Sequence, residues 1–287
     1  MKKVLILGGT GFVGKNLYEC FKSIYYVDAP NRNELNVLNE PDVYNYLKKG
    51  NYDVILNAID LREANQDYFE KRLRIFLNLQ RHSNLYGKLI YFGSGAEYGR
   101  ELPVVDINEE DFDRIIPKDN YGFCLHQMSK YTRNSSNIYN LRLFGIYGKY
   151  EIWQRRFISN AICKAINGYP ITLRQNAKFD YLYIDDLCKI VEWMINNTPQ
   201  FHDYNAVSGI KYELKELANI VNDVMKKDVP VLVAMDEMGK EYSASNKRLC
   251  SEMVTFKPEN IKVSIAKLSE WYLQNIDMID RYSLLYQ

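Results

Sequence analysis

Apolar residues along the chain come in short runs separated by stretches of helical spacing. Val4 to Leu7 form an apolar run that reads as a strand. After Gly14 the apolar positions Leu17, Cys20 and Phe21 recur with the period of a helix. Further runs predict strands at residues 24–29, 53–58, 88–94 and 138–144. Helical patterns lie between them, at about 40–49, 66–82 and 121–135. Strands alternating with helices imply a parallel sheet with helices on both faces.

After Gly148 the pattern changes. The stretch from Glu151 reads as an amphipathic helix stopped by Gly168-Tyr169-Pro170. "FDYLYIDDLCKIVEWMI" returns to strand then helix, and "ELKELANIVNDVM" is a further helix. The expected division is a large α/β unit over residues 1–150, with 179–200 returning to it, and a smaller mixed lobe over 151–178 and 201–287. No internal repeats or low-complexity tracts interrupt it.

With 287 residues and 47% hydrophobic residues, the chain can bury a substantial core. Its 37 basic and 36 acidic residues leave a formal charge of +1, so no overall field draws it to nucleic acid or an anionic membrane. The 24 tyrosines and 12 phenylalanines fit aromatic packing, with sugar or base stacking as the less ordinary use. Five scattered cysteines with no Cys-x-x-Cys read as reduced thiols, which points to the cytoplasm. The opening "MKKVLILGG" has too short an apolar run for a signal peptide and reads as a buried strand. No apolar stretch approaches the ~20 residues of a membrane span, and no metal-ligand spacing stands out.

Between the first strand and first helix lies G-x-x-G-x-x-G: Gly8, Gly11 and Gly14. Gly8 permits a tight turn, Gly11 lets backbone approach a pyrophosphate, and Gly14 lets helix and strand pack closely. That pattern at an N-terminal strand–helix junction predicts dinucleotide binding and a Rossmann-type doubly wound sheet. Asp28, ending the second strand, suits the ribose hydroxyls of NAD. Arg32 suits the 2′-phosphate of NADP. Both cofactors remain open.

The order and spacing of these and later motifs resemble the extended short-chain dehydrogenases/reductases, the NAD-dependent epimerase/dehydratase group acting on nucleotide sugars. "GGTGFVG" resembles the group's phosphate loop, which adds Thr10, Phe12 and Val13 to the implied cofactor contacts. "RNELNVLNEPDV" is similar to the segment placing adenine, through Asn36 and Val37, and "LNAID" to the stretch bringing Asn57 and Ala58 beside the cofactor. "SGAEYG", "NYG", "LRLFGIYG" and "FDYLYIDDL" follow in the group's order, then "YNAVSG" and "ASNKRL". The resemblance makes the smaller lobe a substrate lobe, a nucleotide sugar the substrate and a homodimer the expected assembly. It gives Ser94 a hydrogen bond to the sugar's reacting oxygen and Tyr121 the proton exchanged there. The chemistry needs such a pair because an alkoxide does not form freely at neutral pH. Arg248, Arg156 and Asp180 fall where the resemblance implies substrate contacts.

One position departs. The group carries a lysine four residues after the tyrosine, holding the nicotinamide ribose and favouring the phenolate. Here that position is Leu125. Bringing a phenol from ~10 to ~7 takes roughly 4 kcal/mol of differential stabilisation, and leucine supplies none. Lys130 and His126 are rotated away on the same helix. Three explanations stand open: a tyrosine serving as general acid in the reductive direction, an impaired enzyme that still binds its ligands, or a cation supplied from elsewhere in the fold.

Gly95 and Ala96 follow Ser94 where the group's 4,6-dehydratases carry an acidic pair, and neither transfers protons. Ala96 also lacks the cysteine that GDP-fucose synthases use to invert neighbouring carbons. What remains needs hydride transfer alone: reduction of a 4-keto nucleotide sugar, or 4-epimerisation. Epimerisation begins with oxidation, which needs the phenolate that Leu125 disfavours.

Overall fold

A computed structural model of the chain describes residues 1–61 and 67–285; the first residue of the helix expected at 66–82 lies outside them. The strands are β1 (Lys3–Leu7), β2 (Tyr26–Asp28), β3 (Tyr52–Asn57), β4 (Tyr86–Ser94), β5 (Val104–Ile107), β6 (Ile138–Leu143), β7 (Gly145–Tyr147), β8 (Ile171–Gln175), β9 (Lys178–Tyr183), β10 (Asp203–Ala206), β11 (Lys211–Glu213), β12 (Val231–Met235) and β13 (Tyr242–Ala244). The helices are α1 (Phe12–Phe21), α2 (Glu40–Gly50), α3 (Tyr68–Arg81), α4 (Asn120–Arg133), α5 (Phe157–Ile166), α6 (Ile184–Asn196), α7 (Leu214–Met225), α8 (Lys247–Glu252) and α9 (Ile261–Gln274).

Six strands form one sheet in the order β10-β6-β4-β3-β1-β2, and every pairing in it is parallel. Alternation along β1 explains its two buried faces. Val4 and Ile6 join Leu17 and Phe21 of α1 and Ile190 of α6 on one side. Leu5 and Leu7 join Val43 of α2, Phe76 of α3 and Leu125 of α4 on the other. This is the doubly wound α/β fold the sequence predicts. Among the described residues no helix is long and apolar enough to cross a membrane.

A second sheet, β11-β9-β13-β5 with β7 on β9, forms the smaller lobe together with the β8–β12 pair. Three expected boundaries shift. Residues 203–206, assigned by sequence to the lobe, are the edge strand β10 of the main sheet. Val104–Ile107, assigned to the large unit, pairs with β13 in the lobe. Of the segment 179–200, only α6 rejoins the large unit, since β9 lies in the lobe sheet. Strand pairing is non-local, and "DYNA" in β10 lacks the apolar signature of a buried strand although all four residues are buried. The helix expected from Glu151 begins only at Phe157.

A buried ionic cluster ties these elements together. Arg142 on β6, fully buried, donates from Nε to Glu97 (2.7 Å), from Nη1 to Asp203 on β10 (2.6 Å) and from Nη2 to Ser129 on α4 (2.7 Å). Asn140 donates to the same Glu97 carboxylate at 2.9 Å. Burial pushes the Glu97 carboxyl up and Arg142 pulls it back. Arg142→Met leaves buried Glu97 without its cation and Asp203 with one partner fewer, and is expected to cost about 3–5 kcal/mol, read as a lower urea midpoint at unchanged m-value.

Candidate active site

The glycine turn is built as its residue types require. Gly8 has φ +81°, and a Cβ there would lie 2.7 Å from the Ala58 carbonyl oxygen. A Cβ on Gly14 would lie 2.2 Å from the Gly8 carbonyl oxygen, so α1 reaches the turn only with glycine there. The Gly11 amide donates to the Gly8 carbonyl at 3.0 Å, and Gly11 caps α1 with no side chain of its own. The first turn of α1, Phe12 and Val13, opens onto a cleft of about 970 Å³, which Asn57 and Ala58 also line. Thr10 is exposed beside it. This cradle fits a dinucleotide's phosphates.

The adenosine-side residues divide. Asp28 ends β2, but one of its carboxylate oxygens already accepts from the Tyr46 hydroxyl (2.8 Å) and from the Tyr52 hydroxyl. Arg32 is exposed in the following turn. Asn36 is exposed, its side chain accepting from the Leu38 amide, and Val37 packs half-buried against the core beneath α2 and α3.

Ser94 and Tyr121 line the same cleft. Ser94 ends β4 and caps the short turn Gly95–Tyr98. Its Oγ accepts from the Ala96 amide (3.2 Å), and its own amide donates to Glu97 (3.0 Å). Arg142 therefore holds Ser94 through Glu97. Tyr121 rides on the first turn of α4, where Asp119 caps the helix by accepting from the Gly122 amide at 2.9 Å. A Cβ on Gly122 would meet the Ala96 carbonyl oxygen at 2.6 Å, so glycine lets the tyrosine's helix seat against the serine's turn.

Leu125 is fully buried among the apolar side chains beneath Tyr121. Lys130 does not compensate, because its ammonium pairs with Asp113 at 2.9 Å, and His126 stacks on Phe112. Cys124, also uncharged, has its thiol pushed up to about 11 by burial.

Three cleft residues carried no signal in the sequence. Tyr242 on β13 lies beside the Ser94 side chain, and burial pushes its phenol well up. Tyr68 and Arg72 reach in from α3. The Arg72 guanidinium lies 5.7 Å from the Tyr121 ring centre and 5.4 Å from that of Tyr68, and pairs with Asp60 at 3.2 Å. The i, i+4 spacing of Tyr68 and Arg72 was visible, but nothing pointed that face at the cleft.

Of the residues expected to touch substrate, Arg156 lines the cleft, exposed at the start of α5. Arg248 does not. Its guanidinium donates to Asp203 (2.7 Å) and Glu110 (2.6 Å), away from the cleft. Asp180 is also turned inward: its carboxylate accepts from the Ser208 amide and hydroxyl (both 2.8 Å) and from the Gly209 amide (2.7 Å). Trp153, just ahead of Arg156, is buried in the core.

A family profile described as the NAD dependent epimerase/dehydratase family matches residues 4–206. The chain belongs to that family. Its cofactor is accordingly NAD or NADP. Solved structures of like fold include a GDP-mannoheptose C4 reductase from Campylobacter jejuni with NADP bound. It is 18% identical at TM-score 0.79, covering 95% of this chain and 98% of that one. A GDP-L-fucose synthetase from Naegleria fowleri is 13% identical at TM-score 0.83, covering 98% and 95%. A UDP-N-acetylglucosamine 4-epimerase from Bacillus cereus is 20% identical at TM-score 0.75, covering 98% of both chains. At these identities the likeness is one of fold.

Burial pushes the Asp180 carboxyl up to about 6, against the hydrogen bonds from Ser208 and Gly209. The folded state then holds that proton more tightly than the unfolded chain, whose aspartates titrate near ~3.9. Wild-type stability relative to Asp180→Asn is therefore expected to be most favourable at about pH 4 and to fall as pH rises through about 6. Urea unfolding of both proteins across that window measures it.

Proposed function

We propose that the protein reduces a 4-keto nucleotide sugar. The observation that carries this is the convergence of Ser94 and Tyr121 on the cleft bordered by the glycine turn. A reduced nicotinamide, when bound, supplies the hydride to the carbonyl carbon. Tyr121 gives its hydroxyl proton to the carbonyl oxygen as negative charge develops there, and solvent later returns that proton. Ser94, held from behind by Glu97 and in contact with Tyr242, hydrogen-bonds the same oxygen and fixes the carbonyl. Arg156, at the cleft edge, is placed to meet the substrate's phosphates.

Dehydration fits less well. Gly95 and Ala96 bear no acid or base, and the nearby Glu97 is fully buried and bonded to Arg142 and Asn140. The reductive direction suits Leu125, because a tyrosine that starts as the neutral phenol needs no help to ionise beforehand.

Oxidation of NADPH or NADH with a panel of 4-keto-6-deoxy sugar nucleotides tests the reading. Tyr121→Phe is expected to lower kcat by about 10²–10⁴ while leaving dinucleotide affinity unchanged. Binding of both ligands with no turnover in wild type, and turnover gained in Leu125→Lys, supports an impaired binding protein instead. Exchange between 4-epimers without net cofactor oxidation supports an epimerase. A homodimer belongs to the same reading, and analytical ultracentrifugation is expected to give twice the chain mass.

A further inference from the structure

Helix α3 brings two unpaired polar atoms to the cleft. The Tyr68 hydroxyl and the Arg72 Nε are both buried, and neither has a hydrogen-bond partner among the described residues. Buried donors without partners are rare in folded proteins, and each calls for an explanation. The two residues sit four apart, on one face of α3, and both line the cleft.

Several described groups face this pair. Asp60, at the end of β3, engages Arg72 through Nη2 (3.2 Å), which leaves Nε untouched. Tyr121 and Cys124 face it from α4, the first with its ring centre 5.7 Å from the guanidinium. Position 125 behind them offers only a buried leucine. So the cation that faces the Tyr121 ring comes from α3.

We propose that Arg72 and Tyr68 form the ribose-binding floor of the nicotinamide site. The Arg72 Nε and the Tyr68 hydroxyl donate to the ribose hydroxyls, and the guanidinium offsets the negative charge left on Tyr121 when its proton passes to the substrate oxygen. No bond forms or breaks at Arg72. The charge-balancing half rests on the reductive reading above; the ribose half stands without it.

NADPH affinity, followed by the fluorescence of the bound nucleotide, is the first measurement, with thermal melting to confirm folding. Arg72→Leu is expected to weaken binding about tenfold or more, and Tyr68→Phe several-fold. Arg72→Lys is expected to recover much of the loss. With a 4-keto sugar nucleotide that wild type reduces, Arg72→Leu is expected to lower kcat about 10²-fold with little change in KM for the sugar. It is also expected to move the alkaline limb of the kcat–pH profile upward. A folded Arg72→Leu with unchanged NADPH affinity overturns the proposal, even where wild type turns over. Weakened NADPH binding in a wild type that reduces no sugar sinks the reductive reading and leaves the ribose site standing. If Arg72→Leu does not fold, Tyr68→Phe, which removes one oxygen, decides: unchanged affinity there overturns the proposal.

Discussion

A single guanidinium, that of Arg142, holds the chemistry of this fold in register. It is fully buried, and its nitrogens reach Glu97, Asp203 and Ser129 on three different parts of the chain. Removing such charges from water is expensive, and attraction repays the cost only when every donor and acceptor is matched. The matching here is close to complete. Glu97 accepts from Asn140 and from the Ser94 amide as well, and Asp203 also accepts from Arg133 and Arg248. The cluster therefore spans from the serine end of β4 to the middle of the tyrosine's helix. Placing Ser94 and Tyr121 on one cleft is a by-product of satisfying one buried cation.

The sheet supplies the other half of the site. From β1 the chain lays β2 on one side and then β3 on the other. That reversal opens a crevice at the carboxyl ends of β1 and β3, where doubly wound sheets bind their ligands. Gly8 and Ala58 meet there, close enough that a single added carbon on Gly8 would collide with the Ala58 carbonyl. The start of α1 and the end of β4 thus share one continuous cleft.

How much of this was legible in the sequence follows from how local each signal is. The glycine turn and strands β1, β3, β4 and β6 were plain, because turn geometry and apolar runs are properties of adjacent residues. The capped helix bearing Tyr121 was plain for the same reason. Arg248 and Asp180 were misplaced because their partners are distant: Arg248 meets a carboxylate 138 positions away, and Asp180 an amide 28 positions on. A charge with a matched partner looks, in sequence, the same as one waiting for a ligand. Arg72 was invisible for the opposite reason. Its α3 pattern predicts a helix but not which way the polar residues of that helix turn.

The edge strand β10 has a consequence for how the molecule comes into being. Asp203 lies some sixty positions beyond the arginine it neutralises. During synthesis, β1 through β6 emerge with Arg142 already destined for the interior and its second carboxylate still unmade. Contacts of such separation form late, because the intervening loop must close first. The support beneath the cleft is thus completed by a segment that lines none of it, and nascent chains halted before that strand hold Arg142 with Glu97 but without Asp203.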